Sequence, residues 1–147
     1  MVIPSHPRVV VWRRRFGRWL PRLLALVWAA WCVVTAAAYV HHVPEQLQAV
    51  DGAVKAPVWT VWAAAALLLT LGTLAPSTAS PKAKDISRWL RIIGMSIAAA
   101  MLIMWTTAFC VADPRGWVSG KNYALLALMA LYTTWTIARD SAARGEP

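Results

Sequence analysis

The sequence predicts an all-α fold, an integral membrane four-helix bundle. Two observations carry that reading. No Asp, Glu, Lys or Arg occurs in 23–44, 56–81, 92–112 or 122–138, and each stretch can hold a membrane-spanning helix of ~17–25 mostly apolar residues. The charges that remain also sort by side. Arg8, Arg13, Arg14, Arg15, Arg18 and Arg22 precede the first stretch, Lys82, Lys84, Arg88 and Arg91 lie between the second and third, and Arg139 and Arg144 follow the fourth. Only Lys55, Arg115 and Lys121 fall on the opposite side. Cytoplasmic flanks carry the Lys/Arg excess, so both termini are expected in the cytoplasm.

The expected organisation is a basic, aromatic N-terminal segment over 1–22, a domain of four transmembrane helices over 23–138 and a cytoplasmic tail over 139–147. The helices are placed at 23–40, 57–75, 92–112 and 122–138. The formal net charge of +9 then serves orientation and attraction to anionic lipid rather than nucleic-acid binding.

The N-terminal segment is amphipathic. Trp12, Phe16, Trp19 and Leu23 share one helical face, and Arg14, Arg18 and Arg22 share another. That pattern suits a helix lying in the interface and bending into the membrane near Pro21. The sequence Arg18-Trp19-Leu20-Pro21-Arg22 returns as Arg88-Trp89-Leu90-Arg91 before the third helix. Each marks the start of an outward helix, so the chain reads as two hairpins in parallel repeat or as convergence on a common interfacial signal. These residues are the candidate orientation sites: Arg13, Arg14, Arg15, Arg18, Trp19, Arg22, Arg88, Trp89 and Arg91.

Arg13-Arg14-Arg15-Phe16 also resembles the twin-arginine export signal, with Ala36-Ala37-Ala38 as small residues for cleavage. The length of the apolar run, Trp28 and Trp31 within it and three later helices favour a retained first span.

The connections follow from composition. Residues 76–81 read as a loop, and Asp85 is expected to cap the basic helix after it. Pro44 is expected to open a short helix in the first outer connection and Gly52 to close it. Residues 113–121, with Pro114, Gly116 and Gly120, read as a tight turn. Helix packing is assigned to small residues that let backbones approach: Ala29 and Ala36 on the first helix, Gly72 on the second, Gly94 and Ala98 on the third.

Chemistry is sparse. No ionisable Asp, Glu, Lys, Arg or His lies deep in a predicted helix, which argues against a coupled transporter. His6, His41 and His42 lie outside the bundle interior, where a haem would need its ligands, and no CxxC is present. His41, His42, Cys110 and Asp113 gather at one end without a ligand spacing. No catalytic residue, cofactor or metal is therefore expected, and the protein is read as a non-enzyme.

The whole chain resembles, in size, helix number and basic ends, the holin-like small four-helix membrane proteins of actinobacterial phages. The composition, rich in Ala, Val, Arg and Trp, fits a GC-rich source. That resemblance implies a place in the bacterial cytoplasmic membrane and self-association into membrane lesions without catalytic residues, and it transfers no functional residue. The alternatives are a regulatory or exclusion protein that docks a partner through its basic collars, and an uncoupled channel or transporter subunit. Expected partners are the bilayer, anionic lipids and either further copies or another membrane protein.

Overall fold

The computed structural model describes residues 7–74, 80–112 and 115–142, with side chains from Trp19 onward except at Ala49, Asp51, Val54 and beyond Arg139. The described residues are all-helical: α1 (Pro7–Ala38), α2 (Glu45–Val54), α3 (Val58–Leu74), α4 (Pro81–Ala112) and α5 (Trp117–Ala142). By length and composition two segments could cross a membrane, Trp19–Ala38 and Pro81–Ala112. Helix α3 is apolar apart from Thr60, Thr70 and Thr73 but has 17 residues, and α5 is diluted further by Lys, Ser, Asn, Thr and Tyr.

The helices outrun the expected boundaries because an uncharged window measures apolar length, whereas the backbone ladder continues under charged side chains. Helix α1 passes without interruption through Pro21, so the N-terminal segment continues into the first apolar stretch as one helix. Helix α4 has the same 32 residues. Its first turns, 81–91, form the second collar and extend ~16 Å beyond the uncharged run at ~1.5 Å per residue. The two 32-residue helices are offset by 74 positions and the Arg-Trp motifs by 70, a mismatch of about one helical turn.

Start signals differ from expectation in two places. Ser80 caps α4, its Oγ accepting from the Ala83 N–H at 3.3 Å, with Pro81 in the first turn, where a missing N–H costs nothing. Asp85 lies inside that helix and faces Arg88 at 3.9 Å. Pro44 precedes α2 as expected, its carbonyl accepting from the Leu47 N–H at 2.8 Å. Gly52 does not end α2; Lys55 does, in a left-handed conformation at φ 55°. A lysine there gives up the steric ease of glycine.

Packing runs α1 on α3, α3 on α4 and α4 on α5, with α2 resting on α4 and α1 meeting α5 only lightly. Neighbours are antiparallel. Gly72 meets Ser87 and Arg91, while Gly94 meets Ala65, Leu68 and Leu69. Gly120 meets Cys110 and Thr106. Tyr39, just past the C-terminal end of α1, meets Trp105 near the C-terminal end of α4, as does Trp62 near the start of α3, so α1 and α4 run one way and α3 and α5 the other. The core is built from Trp62, Trp105, Leu69, Leu102 and Met95, closed at one end by Leu47 of α2.

Candidate functional site

Small residues come first because they set the helix spacing. Ala29, Ala36, Gly72, Gly94 and Ala98 are all buried within the chain. A Cβ on Gly72 would lie 2.6 Å from Arg91 Cγ and 2.8 Å from the Ser87 carbonyl oxygen. One on Gly94 would lie 2.9 Å from Leu69 Cγ and 3.1 Å from the Ala65 carbonyl oxygen. Close approach lets Ser87 Oγ donate to the Gly72 carbonyl across the α3–α4 seam. These faces are used in holding α1, α3 and α4 together.

The collar residues lie at the opposite extreme of exposure. Trp19 and Trp89 are exposed, and Arg22 and Arg91 are partly covered. The Arg88 guanidinium sits 5.8 Å from the Trp89 ring centre. Arg91 donates from Nε to the Ser87 carbonyl at 3.3 Å. The side chains of Arg13, Arg14, Arg15 and Arg18 lie outside the described residues.

At the far end of the molecule, five aromatic rings meet, from α3, α4, α5 and the turn that follows α1. Trp105 is central, with ring centres 5.0 Å from Trp62, 5.2 Å from Tyr39 and 5.3 Å from Tyr123. Phe109 stacks on Tyr123 at 5.2 Å. The edge-to-face arrangement of Trp105 with both tyrosines matches the ring quadrupoles. Trp62 and Trp105 are 0% and 1% exposed, and neither indole N–H meets an acceptor among the described residues. Each such donor costs ~1–3 kcal/mol of desolvation, which the ring contacts must offset. The hydroxyls of Thr35, Thr70, Thr106, Thr107 and Thr134 each donate to their own i−4 carbonyl, and neither indole donates to any of them.

Trp28 is different. Its Nε1–H donates to Thr133 Oγ1 at 3.3 Å, linking α1 to α5, while that hydroxyl donates to the Met129 carbonyl at 2.9 Å. This bond lies in the lining of a groove between the two helices. The groove between them, about 490 Å³, is walled by Leu24, Val27 and Trp31 of α1 and by Leu128, Met129 and Tyr132 of α5. Beyond it along α5, Tyr132 and Trp135 stand 5.8 Å apart, and Arg139 stacks over Trp135 at 4.9 Å.

No group of three or more His, Cys, Asp or Glu able to hold a metal occurs among the described residues. His41, His42 and Cys110 are exposed, Cys32 and Cys110 are free thiols, and Asp113 lies outside the described residues. Cys110 Sγ packs against Gly120.

Sequence reasoning singled out the collars and the small residues but missed both the aromatic cluster and the groove. Both depend on which helix adjoins which, and no local spacing encodes that. The signal that was present was the set of Trp residues inside the helices, each needing a partner for its N–H. No protein-family model, curated protein or solved structure matches the chain.

Proposed function

We propose that the chain is a multi-pass membrane protein in which α1, α3, α4 and α5 all cross the bilayer and both basic ends face the cytoplasm. The supporting observation is the chain path. Helices α1 and α4 run in the same direction, and each carries an apolar length sufficient to span. A chain that crosses twice in one direction must return in between. The long helix available is α3, antiparallel to both, and its 17 residues reach ~26 Å against a ~30 Å hydrocarbon core. By the same logic α5 returns after α4. The outward faces agree: Val27, Val34 and Leu74 are 66%, 68% and 69% exposed, a surface suited to lipid rather than water.

Its activity is proposed to be non-enzymatic and holin-like: the protein self-associates and permeabilises the membrane. In support stands the layout, long apolar helices with basic ends. The faces of Ala29, Ala36, Gly72, Gly94 and Ala98 are used within the chain, so association uses other outer surfaces. The test is induced expression in a GC-rich bacterial host, following membrane potential, dye entry and viable count together. The proposal expects a delayed, abrupt loss of potential and viability with a burst of dye entry. Normal potential and growth at confirmed membrane expression would rule it out.

One observation favours a second reading, docking of a partner. The α4 collar projects beyond the uncharged run and exposes Ile86 and Trp89 beside Arg88. A cytoplasmic partner retained by the wild-type chain and lost on Ile86→Glu/Trp89→Glu would support that reading.

A further inference from the structure

We infer that the groove between α1 and α5 holds one acyl chain of an anionic phospholipid, with its headgroup at Arg139. The inference rests on the membrane reading above and goes beyond it by assigning a lipid site.

Length is the first argument. From Leu126, at the outer edge of the groove, to Arg139 is 13 positions on α5, or ~20 Å. Half the hydrocarbon core is ~15 Å, and the headgroup layer lies beyond it. The α5 lining of the groove, Leu126 to Thr133, covers ~10 Å of this; groove and aromatic ladder together match one leaflet and bring Arg139 to headgroup depth. Chemistry is the second argument. The walls are aliphatic and aromatic, and the Thr133 hydroxyl on the floor is already engaged with Trp28 and the Met129 carbonyl. Apart from the Trp31 indole and the Tyr132 hydroxyl, the rest of the lining is apolar. At its cytoplasmic end the Tyr132–Trp135–Arg139 ladder passes from aromatic to cationic. An occupant needs an apolar chain and an anionic end, as an acidic phospholipid has.

A second copy of the chain fits less well. Inserted in the same orientation, it would bring its own basic end to the same depth as Arg139, and like charges would face each other. Helix docking in lipid also favours small residues, and this groove is walled by Trp31, Leu128 and Tyr132.

The test uses the full chain purified from membranes in mild detergent, with native mass spectrometry reading retained lipid. Phosphatidylglycerol and phosphatidylcholine of matched acyl chains are the probes. The wild-type chain is expected to retain one phosphatidylglycerol and to prefer it about fivefold or more. Arg139→Gln should remove that preference. Val27→Trp/Leu128→Trp fills the groove from two exposed positions and should lower retention of both lipids without disturbing the fold. Excess inorganic phosphate should leave retention unchanged, since the acyl chain holds the site.

Equal retention of the two lipids, displacement by phosphate, or retention indifferent to the groove variants would each overturn the inference. So would a dimer that the groove variants dissolve while lipid retention stays the same, because the occupant would then be a second copy. Recovery of the wild-type chain in the soluble fraction overturns the membrane reading and this inference together. Membrane recovery with any of the other adverse results overturns the inference alone.

Discussion

Adding one methyl group at Gly72 should separate two helices, whereas the same methyl at Gly52 should cost nothing. A Cβ at position 72 meets the Ser87 carbonyl oxygen at 2.8 Å and the Arg91 backbone nitrogen at 3.0 Å. Both are backbone atoms of α4, so no rotamer change relieves the clash. Restoring ordinary contact at ~3.5 Å requires α3 and α4 to part by several tenths of an ångström. Overpacking of this kind costs ~1–3 kcal/mol. The same separation stretches the bond from Ser87 Oγ to the Gly72 carbonyl, and bonds between membrane helices contribute ~0.6 kcal/mol on average. Against this stands ~1 kcal/mol gained by replacing Gly with Ala inside a helix. The net expectation for Gly72→Ala is a loss of ~1–2 kcal/mol. At Gly52, exposed on α2, a Cβ meets nothing within 4 Å, so Gly52→Ala should stabilise by ~0.5–1 kcal/mol. The assay is reversible unfolding by sodium dodecyl sulfate in mixed micelles, followed by far-ultraviolet circular dichroism. The reasoning fails if the two variants shift stability in the same direction, or if Gly72→Ala matches the wild type.

Further expectations follow from the same geometry. Thr133→Val removes the acceptor of Trp28; a double-mutant cycle with Trp28→Phe should give a coupling of ~0.6 kcal/mol and no more than ~1.7. Trp105→Phe deletes a buried N–H that has no acceptor among the described residues, so it should cost under ~1.5 kcal/mol, whereas Trp105→Ala leaves a cavity worth ~3–5 kcal/mol in the same unfolding assay. Asp85→Asn should change stability by less than ~0.5 kcal/mol, because its partner Arg88 is 3.9 Å away and Asp85 is exposed. Replacing Arg13, Arg14, Arg15 and Arg18 with Glu should lower the amount of correctly oriented protein; unchanged orientation and level by cysteine labelling would show that the later basic collar suffices.

The features legible in the sequence are those that depend on neighbours within a few turns. Uncharged length located the apolar core of all four long helices, and Pro44 correctly marked the start of α2. The i,i+4 pairs of Trp117 with Lys121 and Trp135 with Arg139 follow from helical spacing alone. Capping was only partly legible. Ser80 competes with Asp85 as a capping residue, and the choice is decided by Pro81, which favours a first-turn position. Lys55 could not be read as a left-handed terminator, since Gly52 was the residue with the lower intrinsic cost. The small residues were legible as contact faces but not as internal or external ones, because that depends on helix order. The groove lies beyond local reading for the same reason. It exists because α1 packs on α3 and α5 packs on α4, which leaves Trp28 and Thr133 as a narrow bridge between the outer helices.

The central claim, four crossings with both basic ends inside, is tested most directly by single-cysteine labelling. In a Cys32→Ala/Cys110→Ser background, cysteines are placed at Ala53 on α2, Val118 at the start of α5 and Ile86 in the α4 collar, all exposed positions. Intact cells are treated with a membrane-impermeant maleimide, then lysed and treated again. The account predicts labelling of Ala53→Cys and Val118→Cys in intact cells, and of Ile86→Cys only after lysis. Labelling of Ile86→Cys in intact cells, or protection of Ala53→Cys until lysis, would contradict it.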